Sequence, residues 1–383
     1  MRKIVVFPRL TIFDYDFQIY DGIEGLFREL NADGHELVVI SHDRISIERM
    51  RKVFQEIFEF DVLCAYRSLI RDNVDETNAQ DVIIVGSSDE DLILAANKKT
   101  LIINPGWSIK QDEKPERYGI KLNRPSQLLR AIRLIANQNR WYFKLQVSDS
   151  ANVLSLTSAN TMNRDVEYTE REILDGFEGL LKAGDRKYFN TLYFHLISGV
   201  MKDSELRNVN IWGTFPSSSG FENEELEELK ERCRYLTGGR MSEPLFIRHT
   251  KVEKSHHTPH VTRLREGCKK HFNSLHLNPY YNSRRIRGKV VCIIDDYMTN
   301  GISFESARNL LLQAGAKRVI LLALGRYRKG SHGVYQHEEY NFDGTVNAPG
   351  YSYELVSKSN LVGEYDYEAR DEVNRIYEIL NRN

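Results

Sequence analysis

The run Val290-Val291-Cys292-Ile293-Ile294-Asp295-Asp296-Tyr297-Met298-Thr299-Asn300-Gly301-Ile302-Ser303 limits the possible folds of this chain more than any other stretch. Apolar residues lead into two adjacent carboxylates, then a turn of small and polar residues, then the helical pattern Phe304-Glu305-Ser306-Ala307-Arg308-Asn309-Leu310-Leu311-Leu312. An apolar run bounded by turn residues reads as a buried strand of a parallel sheet, and ligands of such sheets sit outside the carboxyl ends of the strands. Asp295 and Asp296 therefore belong at the mouth of a site. Thr299, Asn300, Gly301, Ile302 and Ser303 bring hydroxyls, an amide and a closely approachable backbone, and the following helix N-terminus attracts an anion. Two carboxylates beside a phosphate cradle suit sugar hydroxyls, with Mg²⁺ balancing the charge. Ribose 5-phosphate has that shape.

The segment resembles the phosphoribosyl pyrophosphate (PRPP) signature of type I phosphoribosyltransferases, an apolar strand followed by Asp-Asp-x-x-Thr-Thr-Gly-x-Thr. Here Asn300 replaces the second Thr and Ser303 the last, and both keep a polar side chain. Upstream, Val209 to Trp212 delivers a loop containing Pro216, Ser217, Ser218, Ser219 and Gly220, small residues that suit a leaving pyrophosphate. A basic, non-periodic run from Arg248 to Thr258 follows, suited to closing over that group through Lys251, Lys254 or His256.

The order of these parts resembles the ComF-like branch of the family. That branch has a Lys-x-Gly-Asp-like turn (Lys182 to Arg186), a Pro loop ending in Gly-Phe (Pro216 to Phe221), an Arg-x-Thr motif (Arg248 to Thr250) and the Asp-Asp signature last. Glu253 and Cys268 depart from the usual Gln and Asn, which bears on the acceptor. The resemblance implies transfer of ribose 5-phosphate from PRPP to an acceptor, with release of pyrophosphate and Mg²⁺ carried mainly by PRPP. It assigns Asp295, Asp296, Lys251, Lys254 and His256 to catalysis, Thr299 to Ser303 to the 5-phosphate, and Pro216 to Gly220 with Arg248 to pyrophosphate.

The 383 residues suffice for two domains, and the formal charge of −1 carries no overall bias toward nucleic acid or anionic membrane. With no membrane-length apolar run and no signal pattern at Met1, a cytoplasmic protein is expected. Cys64, Cys233, Cys268 and Cys292 are scattered without a CxxC, which predicts buried, reduced thiols. His249, His256, His257 and His260 lie close together but lack carboxylate or cysteine partners at site spacing, so a solvated anion-contacting loop is preferred to zinc. The basic window of Arg263, Arg265, Lys269, Lys270, Arg284, Arg285, Arg287 and Lys289 lacks aromatic interleaving, which argues for a small phosphate-rich substrate over nucleic acid.

The pattern predicts an α/β protein in parts: residues 1–139, a linker at 140–168, a phosphoribosyltransferase domain with a parallel sheet at 169–330, and a C-terminal extension at 331–383. A capping box at Thr169-Glu170-Arg171-Glu172 is expected to open the second domain. The first part resembles a haloacid dehalogenase-like (HAD) Rossmannoid domain, with Lys3 to Phe7 as first strand, Leu37 to Ser41 ending in the hydroxyl position and Val82 to Asp91 as the acidic loop. An active member needs Asp directly after the first strand and again two residues on, where this chain has Pro8 and Leu10. The resemblance then implies an inactive domain with a recognition or regulatory role. A shifted register would use Asp14 and Asp16 after Leu10 to Phe13 and give a phosphatase. The alternative to transfer is a catalytically silent PRPP sensor, of the kind found in bacterial stress or defence systems, acting on a protein partner through the first domain. Type I enzymes commonly dimerise, so a homodimer is also expected.

Overall fold

The computed structural model describes residues 1–137, 141–162, 166–217, 223–251, 260–328 and 333–382. The first half alternates strand and helix: β1 (Ile4–Pro8), α1 (Ile23–Ala32), β2 (Glu36–Ser41), α2 (Arg44–Ile57), β3 (Leu63–Tyr66), α3 (Ser68–Asn73), β4 (Val82–Val85), α4 (Asp89–Lys98), β5 (Leu101–Pro105), α5 (Glu113–Tyr118), β6 (Ile120–Leu122) and α6 (Pro125–Asn137). The strands make one six-stranded parallel sheet in the order β3-β2-β1-β4-β5-β6. Val5 to Phe7, Leu37 to Ile40 and Val82 to Val85 are continuous apolar runs, buried throughout, as a sheet covered on both faces requires.

The second half begins with the hairpin β7 (Phe143–Ser148) and β8 (Ala151–Ser158), then α7 (Tyr168–Ala183), α8 (Phe189–Lys202), α9 (Ser204–Arg207), β9 (Ile211–Thr214) and α10 (Glu224–Leu236). It continues with β10 (Phe246–Arg248), α11 (His260–Glu266), α12 (Lys269–Phe272), β11 (Leu275–Leu277), α13 (Ser283–Ile286), β12 (Val290–Met298), α14 (Ile302–Gln313) and β13 (Arg318–Arg326). Last come β14 (Tyr335–Asp343), β15 (Ser352–Leu361), β16 (Glu364–Tyr365) and α15 (Ala369–Asn381). The second sheet is mixed, ordered β16-β7-β8-β13-β12-β9, with β8, β13, β12 and β9 parallel, β7 antiparallel to β8, and β16 antiparallel to β7 at the edge. β10 pairs with β11 and β14 with β15 in two antiparallel ribbons.

Three boundaries differ from expectation. The stretch 140–168, expected as a linker, carries β7 and β8, and β8 hydrogen-bonds along β13 as an inner strand. Its Ser and Thr side chains hide the strand pattern, because Ser155, Thr157 and Ser158 are buried by donating their hydroxyls to backbone carbonyls or turning a local backbone N–H toward them. The 331–383 segment is likewise no appendage: β16 extends the second sheet through β7, and α15 packs on α6, α7 and α8. The capping box is absent. Glu167 is the N-cap of α7 without a side-chain bond, and Glu170 is buried against Arg370, accepting at 2.6 and 2.8 Å. The box carboxylate, Glu172, instead accepts from Tyr188 Oη at 2.7 Å and Lys187 Nζ at 3.1 Å and does not turn back to the helix start.

The halves share one core. A continuous buried apolar cluster runs from Val5 through α8 to Ile379, and α8 is buried on nearly all sides. Tyr118 stacks on Tyr235 with centroids 4.3 Å apart, Lys99 Nζ donates to Asn208 at 2.7 Å, and Gln127 Nε2 donates to the Ile379 carbonyl at 3.0 Å. All four cysteines are free and buried, and burial raises their thiol pKa values, Cys64 to about 11. Among the described residues no helix is long and apolar enough to cross a membrane.

Candidate functional site

β12 lies between β13 and β9, with Ile294 opposite Thr214 and Asp295 opposite Ala323. The strand does not stop at the carboxylates. Pairing with β13 continues through Tyr297 and Met298, so Asp295 and Asp296 are strand residues with side chains on opposite faces. Thr299 and Asn300 make the turn, and Gly301 is the N-cap of α14 at φ +79. The N-cap glycine offers no side chain to cap this helix, and its first backbone bond runs from Glu305 N–H to the Gly301 carbonyl at 2.8 Å. The first-turn N–H groups and the positive end of the dipole are thereby offered to an anion. Thr299, Asn300, Gly301, Ile302 and Ser303 line one pocket of about 120 Å³ together with Asp295.

The two carboxylates differ. Asp296 pairs with the ammonium of Lys182, which also stands 5.4 Å over the Tyr297 ring. Among the described residues Asp295 has no such partner: its Oδ1 accepts from Asp296 N–H at 2.9 Å. Burial, reinforced by the Asp296 charge, pushes the Asp295 carboxyl well above the usual carboxylate range. An unfolded carboxylate ionises near about pH 4, so above that value the folded chain holds a proton that the unfolded chain has released. Stability from this group therefore falls as pH rises. Asp295→Asn, which mimics the protonated acid, is expected to raise the urea midpoint at pH 8 and to leave it nearly unchanged at pH 4. Denaturation of both proteins across that range checks it, and a lower midpoint at pH 8 would contradict the assignment.

The opposite wall comes from α12, where Lys270 and His271 line the same pocket. His271 is buried, and burial together with Arg248 and Lys270 keeps its imidazole neutral by holding the pKa well below the usual value. Its ring meets Phe215 edge-on with centroids 5.1 Å apart. Phe215 follows β9 and begins the loop expected to take pyrophosphate, which therefore leaves the sheet one strand away from Asp295. Of that loop, Pro216 and Ser217 are described, whereas Ser218, Ser219 and Gly220 lie outside the described residues. Arg248 donates to the Ser217 carbonyl at 2.7 Å, the Pro216 carbonyl at 3.0 Å and Ser274 Oγ at 2.7 Å. Its guanidinium thus shapes the loop, and burial lowers its pKa to about 10. Lys251 is exposed at the end of this segment, and Lys254, His256 and His257 lie outside the described residues.

Lys182, Lys270, His271 and Tyr335 were absent from the site expected from sequence. Lys182 lay within the quoted Lys-x-Gly-Asp turn and Lys270 within the basic window, so a faint signal existed for each. Tyr335 had none. Its fully buried ring backs Gly301, where an added Cβ would lie 2.0 Å from Tyr335 Cε2. Tyr335 Oη donates to the buried carboxylate of Glu305 at 2.7 Å, and Glu305 also accepts from Arg308, His337 and Glu338 N–H. Burial opposes ionisation of Glu305, but these partners outweigh it and lower its pKa.

In the first half, Ser108 Oγ donates to the Leu10 carbonyl at 2.8 Å and meets Ser87 Oγ at 3.1 Å, joining the ends of β1 and β4 by neutral hydroxyls. Asp91 is spent on the Ser88 capping box and on Arg67 at 2.6 Å. The register that would follow a strand with Asp14 is not formed: Arg9–Thr11 is a 3₁₀ turn, and the Asp14 carboxylate accepts from Asp16 N–H at 2.9 Å and Gln18 N–H at 2.8 Å. That turn closes a small bridge between Phe13 and Ile19.

Among the described residues, no group of three or more His, Cys, Asp or Glu gathers to hold a metal ion. The donor set suits Mg²⁺ arriving on a ligand, because Mg²⁺ keeps waters and substrate phosphates and needs few protein carboxylates. Asp295 and Asp296 are the residues that would meet it. Comparison with protein-family models, curated proteins and solved structures gives no match.

Proposed function

We propose that this protein is a PRPP-dependent phosphoribosyltransferase acting at the carboxyl end of β12. The observation that carries the reading is the joint lining of one pocket by Asp295 and by Thr299 to Ser303 at an uncapped helix N-terminus. In this reading the 5-phosphate rests on the first turn of α14, and Asp295, whose ionised form ligand-borne Mg²⁺ would favour, accepts from the ribose hydroxyls and offsets positive charge that builds on the ring as the bond to pyrophosphate breaks, while Asp296 adds negative charge from the other face of the strand. Lys182 holds Asp296 in place. Mg²⁺, carried on PRPP, supplies charge neutralisation of the leaving group. Pro216 and Ser217, held by Arg248, start the loop that takes that group. The gain is electrostatic and positional.

The test is release of pyrophosphate from PRPP and Mg²⁺ with a panel of nucleobases and other amine acceptors. Turnover with at least one acceptor is expected, and Asp295→Asn should lower it by at least about a hundredfold, the scale of losing one preorganised electrostatic contact. No release with any acceptor would overturn the transferase reading. One observation favours a second reading, a PRPP sensor without turnover: the first half is welded to the second through α8 and α15, which couples a bound ligand to a possible partner-binding half. PRPP binding without pyrophosphate release is the outcome that separates the two.

A further inference from the structure

A second cavity, of about 390 Å³, opens in the first half between α3 and α4 beside the ends of β2 and β3. Its volume falls in the range of about 300–1,000 Å³ common to small-molecule sites. The lining residues Glu90 and Lys98 are eight positions apart on α4, so the cleft extends roughly 12 Å along that helix. Arg67 stands at one wall with its side chain mostly buried. Its Nη2 is held by Asp91 at 2.6 Å, but Nε and Nη1 are buried without a partner among the described residues. Buried guanidinium donors are seldom left so, because an unmet donor forfeits its hydration with nothing in exchange.

Arg71 follows one helical turn later in the same cavity, and Lys98 adds a third cation, its Nζ donating to the Val74 carbonyl at 2.8 Å. The acid at the mouth, Glu90, is hydrogen-bonded to His42 at 2.7 Å. The rest of the lining mixes the polar Ser41, Ser68 and Asn97 with apolar side chains, of which Tyr66 is 47% and Ile93 49% exposed.

We propose that this cleft binds a nucleoside monophosphate, its phosphate held by Arg67 and Arg71 and its base laid against Tyr66 and Ile93. Arginine forks match phosphate oxygens in pairs, and a turn of the Arg67 side chain that brings the buried Nε and Nη1 to the cleft surface would let them meet those oxygens. A flat base covers the exposed ring and the branched side chain, and the 12 Å reach exceeds what free phosphate needs. With Pro8 ending β1 and Leu10 two residues on, neither of which can attack phosphorus, the ligand is bound and released intact.

Calorimetric titration of the full chain with AMP, UMP, adenosine and inorganic phosphate tests the assignment. At least one monophosphate should bind with Kd below about 1 mM, and adenosine and inorganic phosphate at least tenfold more weakly. Arg67→Gln and the cavity-blocking Ile93→Trp should each weaken binding tenfold or more, whereas Asp295→Asn should not. The proposal is overturned if no monophosphate binds, if phosphate alone binds as tightly, if both cleft variants bind normally, or if Asp295→Asn removes the binding and so places it at β12. Should Arg67→Gln fail to fold, Ile93→Trp and Arg71→Ala, both at exposed positions, decide the matter by the same criterion.

Discussion

Replacing Glu305 by alanine is expected to destabilise the protein by about 3–5 kcal/mol, the cost of breaking a buried ion pair by removing one partner. Glu305 is fully buried in the first turn of α14. It accepts from Arg308 Nη2 at 3.0 Å, Tyr335 Oη at 2.7 Å, His337 Nδ1 at 3.0 Å and Glu338 N–H at 3.0 Å. Arg308 is itself 2% exposed and would keep Glu339 Oε1 at 3.0 Å, a carboxylate that is half in water and a poorer counter-charge. Glu305→Gln keeps the shape and part of the bonding, so it should cost less than the alanine change. Urea denaturation measures both. Hydrogen exchange of the β14 amides should accelerate in Glu305→Ala ahead of those in β1. A loss under about 1 kcal/mol would show that Arg308 finds another counter-charge.

Gly301→Ala is expected to cost about 2–4 kcal/mol and to abolish binding of ribose 5-phosphate. Two terms add. An L residue in the left-handed region at φ +79 costs about 1 kcal/mol, and overpacking a fixed site costs about 1–3 kcal/mol. The second term applies because the Cβ would fall 2.0 Å from Tyr335 Cε2 and 2.4 Å from Cδ2, on a ring whose hydroxyl is tied to Glu305. The ring cannot swing away, so the loop must, and the loop is the proposed phosphate cradle. The double variant Gly301→Ala/Tyr335→Leu removes the obstruction and should cost less than the sum of the single changes. Strict additivity in thermal and urea unfolding would show that the ring is not what excludes the side chain.

Most of the first half was legible. Val5 to Phe7, Leu37 to Ile40 and Val82 to Val85 are long enough and apolar enough to declare themselves, and the observed strands coincide with them. β3 and β6, four and three residues long, did not. β8 was missed for a different reason: Ser155, Thr157 and Ser158 resemble linker residues until their hydroxyls are seen satisfied inside the sheet. The capping box at Thr169 was a real local preference, set aside because α7 already starts at Tyr168 and the Glu172 carboxylate is taken by Tyr188 and Lys187.

At the candidate site the division follows sequence distance. A strand, two carboxylates, a turn and a helix N-terminus lie within one contiguous segment, and each step is set by the side chains present: β-branched residues extend, Gly301 turns, and Phe304 to Leu312 coil. Val290 to Ser303 therefore determined the local shape of the site before any packing was known. Lys182 on Asp296, Lys270 and His271 across the pocket, and Tyr335 behind Gly301 are brought in from α7, α12 and β14. No local preference encodes those meetings. They depend on strand order and on which helix face finds the core, so only the tertiary structure decided what surrounds the acidic pair and which of its two carboxylates carries a counter-ion.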